Sequence, residues 1–312
     1  MSLPSYHEPV LCREAVGFLI TDLSGVYVDA TAGGGGHAHA ICSLLGAGGR
    51  LICFDADEDA LRSSRERLRQ FGENVTFVHS NFGSLATEMQ CLGITRISGL
   101  LLDLGVSSYQ LDEPSKGFSF RADAPLDMRF DRRQDLSARE VLNAYSEESL
   151  RAILRDFGEE HAYRRIVRSI MSRRPLATTG ELAAAVEDGA GKRYLTKSLA
   201  RVFQALRIEV NHELENLRRV LAAGVAMLNA GGRVVAISYH SLEDRVVKEF
   251  LRDAAAPEVP SGHRLIPGIR KEPLVKVLTK KPVLPSDDEV RRNGRARSAK
   301  MRVAERLERA GG

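Results

Sequence analysis

The sequence predicts an α/β fold, a mostly parallel sheet with helices on both faces, interrupted by an all-helical inserted domain. Three observations carry this. Short apolar runs without polar alternation recur with room for one helix between each pair, which is how strands buried on both faces read. The first run stops in four consecutive glycines, Gly33-Gly34-Gly35-Gly36, a turn from strand into helix. From Asp123 to Tyr194 the pattern is helical, with no strand between the helices.

Taken in order, a lead helix is expected near Arg13 to Ile20, and Val26 to Thr31 is the first strand. A helix follows the glycines. Arg50 to Phe54 is a second strand closed by Asp55-Ala56-Asp57, and a helix over about Asp57 to Gln70 leads to a third strand at Val75 to His79. After more helix comes the apolar run Gly99 to Gly105. In the insert, Ser137-x-x-Glu140 and Thr178-x-x-Glu181 are capping boxes that start helices. Leu150, Ile153, Leu154 and Phe157, then Ile166 and Ile170, give each of two helices one buried stripe. One long helix is expected near Ser198 to Leu228, then a strand at Gly231 to Ser238 and a helix opened by Ser241-x-x-Asp244. Pro257 to Gly268 reads as a loop, Leu274 to Leu278 as a strand, and Ser298 to Leu307 as either strand or helix. The domain boundaries implied are 1–122 for the first part of the α/β domain, 123–197 for the insert and 198–312 for the second part.

At 312 residues, 43% hydrophobic and 28% charged, the chain supports a sizeable core and is neither disordered nor of low complexity. No apolar run approaches the roughly 18 residues that span a bilayer, and the opening residues lack the basic-then-apolar form of an export signal. A soluble, cytoplasmic protein is expected. Cys12, Cys42, Cys53 and Cys91 show no C-x-x-C and read as reduced, mostly buried thiols. Residues 291–312 hold eight Lys/Arg against two Glu, a net +6 in a chain whose total is +4, so the other 290 residues carry −2. That asymmetry points either to a polyanion partner or to a solvated basic tail.

A strand ending at Asp29, the glycine run, and Asp55 standing 22 positions beyond Gly33 form an adenosine-binding arrangement. Glycine lets backbone approach a ligand, and a carboxylate takes both hydroxyls of a ribose. Gly33-x-Gly35-x-x-Ala38 also satisfies the dinucleotide fingerprint, so NAD stays an alternative. Asp29, Asp55 and Asp103 all fall at carboxyl ends of strands, where they suit a cationic sulfonium better than a pyrophosphate; each one singly is also explained as a helix cap.

Several long runs resemble the RsmH (MraW) family of bacterial ribosomal RNA methyltransferases along nearly the whole chain. They are His7-Glu8-Pro9-Val10-Leu11, Asp29-Ala30-Thr31 with Gly33 to His37, Asp103 to Asp112, Gly117-Phe118-Ser119-Phe120 and Leu126-Asp127-Met128-Arg129. Phe203 to Asn211, Tyr239-His240-Ser241-Leu242-Glu243-Asp244-Arg245 and Arg295 to Lys300 complete the likeness. Lys116, Phe130, Gly294 and the segment Tyr194 to Ala200 depart from the family pattern without touching an expected cofactor residue. The resemblance implies a class I S-adenosylmethionine-dependent methyltransferase, Rossmann-like with a helical insert, that methylates N4 of a cytidine in the decoding region of 16S rRNA. It implies a cofactor site of Gly35, Gly36, His37, Asp55, Phe82, Asp103 and Gln110, and the small ribosomal subunit as partner. Monomer and homodimer stay open, as does a cofactor-binding RNA assembly factor without activity.

Cytosine N4 is a poor nucleophile, so a site must align it and accept a proton. Asp103 is the first choice, with Ser107 and Ser108 beside it; the alternative is that Asp103 binds cofactor only. His240 touches either the substrate or the start of its own helix. A target base must be single-stranded or flipped and stacked, for which Tyr109, Phe118 and Phe120 are candidates. Arg295, Arg297 and Lys300 are candidate RNA contacts. No metal is expected.

Overall fold

A computed structural model describes residues 9–259 and 269–308, so the start of the first family run and most of the loop at Pro257 to Gly268 lie outside the described residues. The chain forms two compact units, one from residues 1–105 with Leu214–Gly312, the other from Val106–Glu213.

The first unit begins with α1 (Cys12–Leu19), β1 (Val26–Asp29), α2 (Gly36–Cys42), β2 (Arg50–Asp55), α3 (Glu58–Leu68), β3 (Val75–His79), α4 (Leu85–Cys91) and β4 (Ile97–Asp103). The interior of β4, Leu100 to Leu102, is fully buried, as expected of a strand covered on both faces.

The helical unit holds α5 (Ser108–Asp112), α6 (Ala138–Ala144), α7 (Glu147–Asp156), α8 (Tyr163–Arg173), α9 (Thr179–Ala190) and α10 (Leu195–Asn211). Both expected capping boxes form, at Ser137 with Glu140 and at Thr178 with Glu181. The stripes Leu150, Ile153, Leu154 and Ile166, Ile170 meet in one core with Leu182, Val186 and Val202. The unit is wider than residues 123–197 because Phe118, Phe203 and Val210 also belong to that core.

The single long helix expected over Ser198 to Leu228 is two: α10 ends at Asn211 and α11 (Glu213–Met227) starts two residues on. His212 between them is left-handed, at φ 50° and ψ 38°, and its N–H closes on the Glu209 and Ile208 carbonyls. The buried Asn211 amide accepts from the Phe130 N–H at 2.8 Å and donates to the Met128 carbonyl at 2.8 Å, which ties the helix end to a loop.

The first unit then resumes with β5 (Leu228–Ser238), α12 (Ser241–Ala255), a two-stranded ribbon of β6 (Glu258–Val259) and β7 (Ile269–Arg270), β8 (Val275–Val277), α13 (Asp287–Arg292) and β9 (Lys300–Arg306). The main sheet has the order β3-β2-β1-β4-β5-β9-β8, parallel except where β9 runs against both its neighbours. The segment left open between strand and helix is therefore a strand in the sheet interior. Arg302 and Arg306, read as part of a basic tail, are buried in it. The order reverses between β1 and β4, the switch point at which open α/β sheets bind ligands.

None of the four cysteines is in a disulfide: Cys42 and Cys53 are buried, Cys12 is half-buried, and Cys91 departs from expectation in being exposed.

Candidate active site

The glycine turn sits directly beyond β1. Gly33 and Gly35 have φ of 51° and 77°, a left-handed backbone that glycine adopts without penalty. The Gly33 N–H donates to Asp55 Oδ2 at 2.8 Å, and the Asp57 N–H donates to Oδ1 at 2.8 Å, so two backbone bonds orient the carboxylate at the end of β2. Gly36 opens α2, where a Cβ would come within 3.0 Å of the Pro9 ring. Phe82 stands half-buried just beyond β3, at the start of a short 3-10 turn capped by Asn81.

Three carboxylates stand at the ends of β1, β2 and β4. Asp29 is 1% exposed; its Oδ1 accepts from the Thr31 N–H at 3.1 Å, and its Oδ2 is buried without a hydrogen-bond partner. Burial pushes its pKa up to about 6, against the lowering pull of His37 and the Thr31 N–H. Asp103 is pushed up to about 7, again by burial, with the Tyr239 hydroxyl opposing and Glu243 adding to the rise.

His37 is 5% exposed, and its Nε2 lies 3.1 Å from the Val10 carbonyl. A carbonyl only accepts, so that nitrogen carries a proton, which turns Nδ1 toward Asp103 Oδ2 at 3.5 Å. Burial draws the His37 pKa down, while Asp29 draws it up. With His37 neutral and Asp103 ionised, two lone pairs face each other; one proton on either group removes the opposition. The other Asp103 oxygen, Oδ1, accepts from the Tyr239 hydroxyl at 2.8 Å, and the Asp103 N–H donates to Thr31 Oγ1 at 2.7 Å.

The match to a family model decides among the chemistries such a site allows: the MraW methylase model covers residues 4–307. This chain belongs to the MraW methylase family. It is a methyltransferase of the class I α/β architecture, and its cofactor is S-adenosylmethionine. Solved structures similar to this MraW family member include a Clostridium thermocellum protein assigned as an rRNA-methylase, 12% identical, TM-score 0.46, covering 98% of this chain and 100% of that one. A Streptococcus thermophilus rRNA methylase is 13% identical with TM-score 0.41, at 95% and 94% coverage. NSun6 from Pyrococcus horikoshii, solved with SFG, is 14% identical with TM-score 0.43, at 98% and 53% coverage.

The residues fit that cofactor. A buried carboxylate oxygen lacking a partner, in a ring of three carboxylates, is relieved by a cation and opposed by a pyrophosphate, which sets aside the NAD alternative.

Other expected residues of the MraW member fall in the helical unit. Ser107 Oγ accepts from the Gln110 N–H at 3.2 Å while Gln110 Oε1 accepts from the Ser107 N–H at 2.9 Å, so both side chains serve the start of α5. Ser108 contributes the first residue of that helix. Phe118 is 6% exposed and stacked on Phe130 at 5.2 Å, so its ring is spent in packing and is not a free platform for a base. Phe120 meets Phe203 edge-on at 5.3 Å and is half-buried. Tyr109, half-buried, has the Lys116 ammonium 5.4 Å from its ring centroid.

In the sheet unit, His240 caps α12 in a box with Glu243, in place of the Ser241-x-x-Asp244 start expected, and its Nε2 is 3.1 Å from Glu243 Oε1. Lys300 lies 3.5 Å from Asp244, and Arg302 binds the same carboxylate at 2.6 Å. Arg295 is half-buried and Arg297 exposed on the turn before β9. Sequence reasoning gave Tyr239 no role, although it opens one of the runs that carry the family resemblance and stands just beyond a strand end.

Proposed function

We propose that this methylase transfers a methyl group to N4 of a cytidine in the decoding region of 16S rRNA, on the small ribosomal subunit or an assembly intermediate in the cytoplasm. The specificity rests on the resemblance of the long sequence runs. The observation that carries the chemistry is the Asp103 carboxylate, fixed at Oδ1 by Tyr239 and raised to about 7 by burial, at the switch point of the sheet.

Bound S-adenosylmethionine supplies a methyl group activated by a sulfonium charge. Asp55 takes the ribose hydroxyls, Phe82 flanks the adenine, and the backbone of Gly35, Gly36 and His37 forms the loop against it. Asp29, buried at the end of β1, adds negative charge behind the cation. Gln110, expected among the cofactor residues, serves the start of α5. An amine that attacks carbon must shed a proton, and Asp103 Oδ2 accepts it; a base with a pKa near the working pH does this best. Ser107 and His240 act on helix starts, not on the reacting atoms. Tyr109 and Phe120 supply the stacking for an unpaired base, and Arg295, Arg297 and Lys300 the basic contacts for RNA.

Transfer of radiolabelled methyl to small subunits lacking the modification, followed by nucleoside analysis, tests the reading. Label in N4-methylated cytidine is expected. Label in another nucleoside, or in none while the cofactor binds, overturns it.

A further inference from the structure

The Asp103 carboxylate is gripped from two directions, and the second grip comes from a residue with no assigned part in the reaction. Asp103 pairs with Ile237 across the β4–β5 ladder, so Tyr239 stands two residues further along the neighbouring parallel strand. Its own N–H donates to Glu243 Oε2 at 2.8 Å, which ties its backbone to the first turn of α12. At Gly105, with φ 91°, a Cβ would lie 3.6 Å from Tyr239 Cδ2, so the chain leaving β4 passes close to the ring. Burial and the Asp103 and Glu243 charges push the Tyr239 phenol well above its ordinary range, so it keeps its proton and is a permanent donor. On the other side, the His37 ring is held by the Val10 carbonyl. The next residue, Leu11, is left-handed at φ 53°, and its N–H donates to Glu289 Oε1 of α13 at 2.7 Å. Hydrogen bonds therefore tie α13 to the segment before α1 and that segment to His37, whose Nδ1 stands 3.5 Å from the Asp103 carboxylate that Tyr239 holds.

We propose that Tyr239 is a positioning residue of the methyl transfer: its hydroxyl holds Asp103 Oδ1, which leaves Oδ2 to take the proton from the methylated nitrogen. The inference rests on the reading of Asp103 as the proton acceptor. Atoms and electrons balance. The nitrogen gains a carbon and sheds one proton, and the electron pair of the broken S–C bond is left on sulfur. The proton goes to Asp103 Oδ2, where it removes the opposition to the neutral His37 Nδ1 lone pair 3.5 Å away, while the Nε2–H stays on the Val10 carbonyl. Release to water through the part-exposed Asp103 resets the pair. The groups facing Asp103 are His37 of α2, Asp29 of β1, Tyr239 beyond β5 and Glu243 of α12, with Thr31 Oγ1 on its N–H.

Tyr239→Phe removes one oxygen and keeps the ring, so the fold is retained, and thermal unfolding checks this. Two readouts decide the role. In the variant, kcat falls by at least about tenfold while KM for S-adenosylmethionine stays within about threefold, and the acid limb of the kcat profile moves to higher pH, because Asp103 loses the donor that favours its ionised form. In the protein without cofactor, carbon-detected NMR titration of the Asp103 carboxyl shows a midpoint above the ordinary carboxylate range and a higher one still in Tyr239→Phe. An unmoved limb and an unmoved titration overturn the proposal, as does a parallel loss of kcat, cofactor affinity and thermal stability, which is the mark of a structural role. If the unaltered protein methylates no RNA, the reading of its function fails on its own, and the titration alone decides whether Tyr239 sets the Asp103 carboxyl.

Discussion

Asp29 illustrates at the scale of one residue how the proposed site would favour a cationic ligand. Its carboxyl is buried with one oxygen unpartnered, and its pKa of about 6 lies above the ordinary 3.8. A carboxyl that binds its proton more tightly when folded adds stability that is complete below about pH 3.8 and is lost as pH rises through about 6. The cofactor-free protein therefore loses about 2 kcal/mol between pH 4 and pH 7 relative to Asp29→Asn, which carries no charge there. Denaturant unfolding of both proteins across that range measures the difference. S-adenosylmethionine reverses the balance by stabilising the unaltered protein more than the variant. Parallel pH curves would show that burial does not raise the Asp29 pKa, and equal stabilisation of the two proteins by the cofactor would remove Asp29 as a charged partner of the sulfonium.

At the scale of elements, the break between α10 and α11 rests on one exposed histidine in a conformation that favours glycine. His212→Gly is expected to stabilise the protein by about 0.5–1 kcal/mol, because relief of the left-handed strain outweighs the added freedom of the unfolded chain. His212→Val, branched at Cβ, loses stability; thermal unfolding of the three proteins gives the order. The break was not legible in the sequence for the same reason. No glycine or proline marks it, and the apolar spacing on either side reads as one helix. What was legible was local: the unbroken apolar runs of β2 and β4, the glycines after β1, and the capping boxes at Ser137 and Thr178, each written within a few residues. β9 stayed ambiguous because Lys300, Arg302, Glu305 and Arg306 look like a solvated face, whereas Arg302 is buried against Asp244. The meeting of His37, Asp103 and Tyr239 is of another kind. Tyr239 lies 136 residues from Asp103, and only the order of the sheet brings them together.

At the scale of the whole molecule, a net +6 over residues 291–312 against −2 elsewhere suggests one end prepared for a polyanion, and the fold divides that charge. Arg302 and Lys300 are engaged by Asp244, Arg291 by Asp288, and Arg306 donates to the Leu274 carbonyl at 3.4 Å. Arg297 is exposed on the turn before β9. Two variants that each remove one positive charge should thus behave differently. Arg297→Ala weakens RNA binding, lowers the slope of log affinity against log salt by about 1, and leaves unfolding unchanged, because one phosphate contact releases about one counterion. Arg302→Ala lowers stability, because it removes the closest partner of a mostly buried Asp244 carboxylate. Filter binding over a salt series, beside thermal unfolding, separates the two. Cofactor affinity is expected to stay nearly flat over the same series, since the Asp29 and Asp103 carboxylates proposed to favour the cation are buried and salt screens buried charges weakly. If Arg297→Ala leaves the salt slope unchanged, RNA does not engage the turn before β9, and the basic contacts lie on another face.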